Sequence, residues 1–227
     1  MAETKDEPIV DLQETVSKAE RYIEENKKSL GIIFGAIVLI VAGYYGWKKF
    51  YIEPLETEAQ TQMFMAESYF EKDSLNKAVN GDGQYPGFEE LVDKYGSTPS
   101  GNLCRYYLGI SYLNMGRYDD AIAQLDDFDA KDEYLGPVAT SAIGDCYMEK
   151  GSTDDAIKYY IKAADMNKNE FTSPVILMKA GRAYESVNNF AEAVKIYEQI
   201  KSDYPDSREG KEIDKYISYA KSKAGLQ

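Results

Sequence analysis

The stretch that decides the fold runs from Leu108 to Leu125 and reads LGISYLNMGRYDDAIAQL. It returns at Ile143 to Tyr160 as IGDCYMEKGSTDDAIKYY, and again at Ala180 to Tyr197 as AGRAYESVNNFAEAVKIY. In each copy a Gly (Gly109, Gly144, Gly181) precedes an Ala (Ala121, Ala156, Ala193) by twelve residues. Each Gly also precedes a Tyr (Tyr112, Tyr147, Tyr184) by three. The units begin at Asn102, Pro137 and Pro174, spacings of 35 and 37 residues. A period of this length is the mark of stacked helical hairpins, whose neighbours bury what one hairpin cannot.

The chemistry of the positions agrees with a hairpin. Pro137 and Pro174 stand where a helix begins, a place that needs no N–H donor. The small residue lets two helices approach closely. Gly116, Gly151 and Asn188 fall at the turn and tolerate left-handed backbone. Acids follow at Asp119, Asp120, Asp154, Asp155 and Glu192, where they suit the start of a second helix. Leu125, Tyr160 and Tyr197 fill the next buried turn, and Pro205 ends the third hairpin.

Working outward, Ala66, Tyr69 and Ala78 keep the same offsets in an earlier, degenerate unit within 56–101. Its second helix is displaced by an insertion, Asn80 to Gly87, and is predicted at Phe88 to Tyr95 with Phe88, Leu91, Val92 and Tyr95 on one face. The stretch from Glu56 to about Val79 reads as its opening part, and Pro54 is expected to interrupt helix just before it. The NGDG run of the insertion lacks the acid ladder of a calcium loop and reads as a turn. After Pro205, Ser207 to Lys223 forms a capping helix with Ile213, Tyr216, Ile217 and Ala220 apolar.

Residues 30–47, LGIIFGAIVLIVAGYYGW, contain no charge. With Lys48 and Lys49 able to snorkel, the apolar span extends over 30–52 and is long enough for a bilayer. Tyr44, Tyr45 and Trp47 mark an interfacial belt. Lys18, Arg21, Lys27 and Lys28 precede the span, against Lys48 and Lys49 after it. That bias places the N-terminus in the cytoplasm and the repeats on the far side. A cleaved leader would need an A-x-A site, and none follows the apolar run. Within the arm 1–29, Leu12, Val16, Ala19 and Ile23 make a narrow helical stripe. It suits either a partner or the membrane surface.

Composition excludes several classes. The chain of 227 residues has a formal charge of −13, so nucleic acid is not an expected partner. It has no histidine, which removes His-based catalysis and most metal sites. No phosphate loop or nucleophile motif appears, and neither an enzyme, a cofactor nor a metal is expected. Cys104 and Cys146 are offset by about 10 Å along their helices, too far for a disulfide, and are expected as free thiols.

The repeat pattern resembles the tetratricopeptide repeat: small at the eighth position, aromatic at the eleventh, Ala at the twentieth. The expected fold is all-α, a single N-terminal transmembrane helix followed by a tetratricopeptide-repeat α-solenoid with a C-terminal capping helix. Its units are 102–136, 137–173 and 174–206, with the cap at 207–227. In such stacks the first helices line a concave groove. The resemblance places there Leu103, Tyr106, Tyr107, Ile110 and Asn114, then Asp145, Met148 and Glu149, then Met178, Lys179, Arg182 and Glu185. One end is apolar and aromatic and the other charged, which suits a peptide of mixed character. The same residues also serve as contacts between helices, and the sequence leaves both roles open. The Lys–Asn–Asn–Lys–Arg set by which some tetratricopeptide domains hold a terminal carboxylate is not kept. Tyr106, Ile110, Ala142 and Val175 replace four of its members.

The whole layout, with stretches such as GDGQYPGFEELVDKYGSTPSGN, resembles the YfgM-like family of bacterial inner-membrane proteins. That resemblance implies association with the SecYEG translocon, pairing with a PpiD-like membrane-anchored isomerase chaperone, and work on emerging polypeptides in the periplasm. The alternative is a structural adaptor in another envelope assembly or secretion machine.

Overall fold

A computed structural model describes residues 12–226, with side chains from residue 20 onward. Among the described residues all regular structure is helical, joined by turns and loops, and there is no strand. It divides into two compact units, 1–54 and 55–227.

The first unit is helix α1 (Leu12–Trp47) followed by one π-helical segment, Lys48–Ile52. The apolar run and the upstream pattern therefore share one helix. Its most apolar window of 18 residues has a mean hydropathy of 2.0, and 0% of it is buried. A core helix of a soluble domain would be covered, so this helix is long and apolar enough to cross a membrane and lacks a protein cover. The stripe at Leu12, Val16 and Ala19 lies where side chains are outside the described residues. The expected interruption before Pro54 does not occur. Pro54 sits second in the next helix, α2 (Glu53–Glu71), and the backbone N–H of Glu53 donates to the carbonyl of Lys48, five residues back. The wider π register lies where the proline lacks its donor and crowds the preceding turn, so helix persists through it.

The second unit begins within α2 and continues with α3 (Leu75–Asn80), α4 (Phe88–Tyr95), α5 (Pro99–Asn114), α6 (Tyr118–Asp126), α7 (Leu135–Glu149), α8 (Thr153–Met166), α9 (Ser173–Ser186), α10 (Phe190–Asp203) and α11 (Arg208–Ala224). From α4 onward each helix packs on the next, while α5, α7, α9 and α11 also touch in series. This is a solenoid of hairpins with the odd-numbered helices forming one wall. The stretch from Glu56 to about Val79 holds two helices, α2 and α3. They are separated at Asp73, whose φ of 56° is left-handed. Helix α4 has the predicted bounds, and its four predicted residues are buried. Helix α5 starts at Pro99, before Asn102, because the Thr98 hydroxyl caps it, accepting from the Gly101 N–H at 3.0 Å.

The Gly–Ala offset acts through contact. A Cβ on Gly144 would stand 2.6 Å from Tyr160 Cε1, and one on Gly109 would stand 2.5 Å from Leu125 Cγ. Gly181 faces the Tyr197 ring in the same way. Only a hydrogen at these positions lets the second helix lay its large side chain against the first. The turns match their residues: φ is 76° at Gly116, 76° at Gly151 and 59° at Asn188. Three clusters of buried side chains run along the stack. The C-terminal one is closed by Ile213, Ile217 and Ala220 of α11. Each large apolar side chain buried there contributes about 1.5–3 kcal/mol. Cys104 and Cys146 are free, and both lie in the N-terminal cluster. Burial pushes their thiols up to about 12 and about 11.

In the insertion, Asp82 accepts from the N–H groups of Gln84 and Tyr85 at 2.9 and 2.8 Å and from the Tyr69 hydroxyl at 2.6 Å. The carboxylate closes the loop, and these bonds lower its pKa to about 2, the Tyr69 bond first. No cluster of three or more metal-ligating side chains occurs among the described residues.

Candidate functional site

The candidate groove is the wall of α5, α7 and α9, and its two ends differ. At the N-terminal end, Tyr107 stacks on Phe88 at 5.3 Å between centroids and meets Phe70 edge-on at 5.2 Å. Tyr106 touches Phe128 at 5.5 Å and packs, with Ile110, against Ala139, Ala142 and Ile143. Leu103 packs on the N-terminal cluster. All four are half-buried, because the stacking of α4, α6 and α7 draws them into helix–helix contacts. Asn114 is exposed at the end of α5.

At the C-terminal end the contacts are polar. Asp145 accepts from Lys179 Nζ at 2.6 Å and from the Tyr160 hydroxyl at 2.7 Å, so one carboxylate ties α7 to both α9 and α8. Lys179 also reaches the Ser141 hydroxyl at 3.3 Å. The Tyr160 phenol is held neutral, first by burial and then by the Asp145 charge. Glu185 lies beside the Tyr197 hydroxyl, which is likewise raised, by burial first. Met178 is buried at 9% exposure in the C-terminal cluster, and Met148 packs on its edge. Glu149 is exposed, with the Tyr118 hydroxyl 3.4 Å away. Arg182 is exposed and donates to the Tyr216 hydroxyl at 3.3 Å.

The structure thus gathers Asp145 and Lys179 into one ion pair. It keeps Asn114, Glu149 and Arg182 open, and turns Met178 and much of the aromatic end toward packing. It also adds residues that the repeat positions did not supply. Arg208 and Tyr216 of the capping helix face Val175, Met178 and Arg182 across a groove. Phe171, in the loop between α8 and α9, is 74% exposed and stands 6.2 Å from the Tyr134 ring. Repeat alignment passes over these because they lie in a loop and in the cap. A lone Phe in a polar loop was the available signal for one of them.

Comparison with known proteins bears on the repeats and the fold. Residues 106–171 match a tetratricopeptide repeat model, and residues 176–207 match a second tetratricopeptide repeat model. No curated protein matches the chain. Among solved structures, the chain is similar to the crystal structure of the nearly identical TPR-like repeats of a Podosopora anserina putative kinesin light chain, and to that of a point variant of the same repeats. Each shows 16% identity and a TM-score of 0.56, covering 75% of this chain and 88% of that one. At that identity the likeness concerns the fold alone. Residues 106–171 and 176–207 thus match tetratricopeptide repeat models on a TPR-like solenoid fold, and repeats of this kind serve in general as scaffolds for binding other proteins.

Proposed function

We propose that this protein is a non-catalytic, membrane-anchored scaffold. Its groove of first helices receives a protein segment, and α1 spans a bacterial inner membrane with the N-terminus cytoplasmic and the repeats periplasmic. The observation that carries the reading is the wall of α5, α7 and α9, which leaves Asn114, Glu149, Val175 and Arg182 open to solvent. The uncovered apolar helix α1 supports the anchor. The excess of Lys and Arg before the span supports the orientation. The resemblance to the YfgM-like layout supports the finer assignment. It makes the protein an ancillary subunit of the SecYEG translocon, working with a PpiD-like chaperone on emerging chains.

The test is extraction of the membrane in mild detergent, combined with photo-cross-linking from exposed positions Leu39 in α1 and Glu149 in α7. Translocon subunits linked from Leu39, and the chaperone or nascent chains linked from Glu149, are expected. Links only to cell-wall or outer-membrane assembly proteins move the scaffold to another envelope machine. Recovery without any bound protein refutes the scaffold reading.

A further inference from the structure

Helix α2 extends the wall of first helices at its N-terminal end. Met63 and Ala66 pack with Cys104 and Leu108 of α5 in one cluster, and the Tyr107 hydroxyl bonds to Glu67. The repeat offset equates Ala66 with Gly109. It therefore sets Phe64, Glu67 and Glu71 at the positions that Tyr107, Ile110 and Asn114 hold in α5. Steps of three and four residues keep these side chains on one face of α2. Phe64 is 66% exposed, Glu67 half-buried and Glu71 exposed.

The charges along this reach are of one sign. At the groove positions of α2, α5 and α7 stand Glu67, Glu71, Asp145 and Glu149, and no Lys or Arg. Asp145 is satisfied by Lys179 from α9 at 2.6 Å. The cations nearest in the chain are spent elsewhere: Arg105 on Asp127 at 3.6 Å, Lys150 on Asp119, and Lys72 on the Ser68 hydroxyl at 3.0 Å. Glu67, Glu71 and Glu149 are left without an ion pair among the described residues. Glu67 and Glu71 form a like-charged pair one turn apart, which opposes the helix that carries them. Burial holds the Glu67 carboxyl above its usual value, against the Tyr107 bond and with the help of the Glu71 charge. A cation would relieve both effects. Two carboxylates are too few to cage a divalent metal, whereas exposed Phe64 and half-buried Tyr106 and Tyr107 offer the rings over which Lys and Arg settle.

Resting on the scaffold reading above, we propose that the N-terminal reach of the groove binds a basic partner segment. A Lys or Arg side chain sits between Glu67 and Glu71, and an apolar side chain beside it lies on Phe64 and Tyr107. A second cation farther along the segment meets Glu149. All three carboxylates touch solvent, so the interaction depends on salt.

A library of short random peptides, blocked at both ends, is displayed to the detergent-solubilised full chain. The forms compared are wild type, E67Q/E71Q, and E133Q/E170Q, which makes the same charge change on exposed acids of two loops outside the groove. Gln keeps the shape of Glu and can still accept the Tyr107 bond, so the fold is retained, as helical circular dichroism would show. Wild type and E133Q/E170Q are expected to enrich peptides that combine Lys or Arg with an apolar residue. E67Q/E71Q is expected to lose them. Measured by fluorescence anisotropy, a synthetic copy of the most enriched peptide should bind E67Q/E71Q at least about tenfold more weakly than E133Q/E170Q. It should be released at about 1 M salt, where screening acts within about 3 Å. Enrichment of neutral or acidic peptides, equal binding to the two double variants, or no enrichment overturns the inference. Recovery of partners by membrane cross-linking does not depend on Glu67 or Glu71, so the scaffold reading stands or falls separately.

Discussion

Replacing Gly144 by Ala tests the close approach on which each hairpin depends. The new methyl would lie 2.6 and 2.7 Å from Tyr160 Cε1 and Cδ1 and 3.2 Å from the Ala156 carbonyl oxygen. Tyr160 cannot swing aside, because it is 3% exposed and its hydroxyl is bonded to Asp145 at 2.7 Å. Helices α7 and α8 must therefore separate. Overpacking of this kind costs about 1–3 kcal/mol. Ala gains about 1 kcal/mol over Gly in a helix interior. Taking the middle of the first range, the net loss is about 1 kcal/mol. With Tyr160 already replaced by Ala, the methyl meets no ring, and G144A should stabilise by about 1 kcal/mol. The coupling between the two sites is then about 2 kcal/mol, well above the scatter of independent sites. Urea titrations of the full chain in detergent, followed by helical circular dichroism, measure all four forms of the cycle. If G144A destabilises equally with and without the Tyr160 ring, the glycine is not there to admit that ring, and the reasoning fails.

Glu56 accepts from the Ser100 N–H and hydroxyl at 2.9 and 2.7 Å at the start of α5. Burial pushes its pKa up, but these bonds outweigh it and hold the carboxyl below its ordinary value. Such a group adds stability above the unfolded value of about 4.3, and loses it as pH falls through the lowered folded value. E56Q should therefore be less stable at neutral pH, by about 1 kcal/mol, and show a shallower acid decline. Equal acid profiles for the two forms would count against the bond. At Asn188, left-handed at φ 59°, N188V should cost about 1–2 kcal/mol while N188G leaves stability nearly unchanged; thermal melts that rank them the other way contradict the turn. Cys104 and Cys146, buried and raised, should resist maleimide in the folded protein and react once urea unfolds it. Rapid labelling without unfolding would show that the N-terminal cluster opens readily.

The groove was less legible than the repeats. Positions 103, 106, 107 and 110 can be counted from the repeat register. Whether Tyr107 faces a ligand or Phe88 depends on the helix after the insertion, and no spacing rule places that helix. Lys179 and Asp145 are 34 residues apart, and only the stacking of α9 on α7 brings them to 2.6 Å. Arg208 and Phe171 carry no repeat signature, and their place beside Val175 follows from how the cap and the loop fold back.

The sequence by itself determined the hairpins, their turns and the uncovered apolar helix. These rest on local rules: a glycine where a ring must approach, left-handed residues where a helix must stop, and an unbroken apolar run too long for a polar surface. Tertiary structure alone decided which of the first-helix residues are used up in packing and which charges pair between helices, as Lys179 and Asp145 do. Those outcomes depend on contacts between helices far apart in the chain. It also decided that Pro54 leaves the helix unbroken, since a π register can absorb a missing donor that the one-dimensional rule counts as a stop.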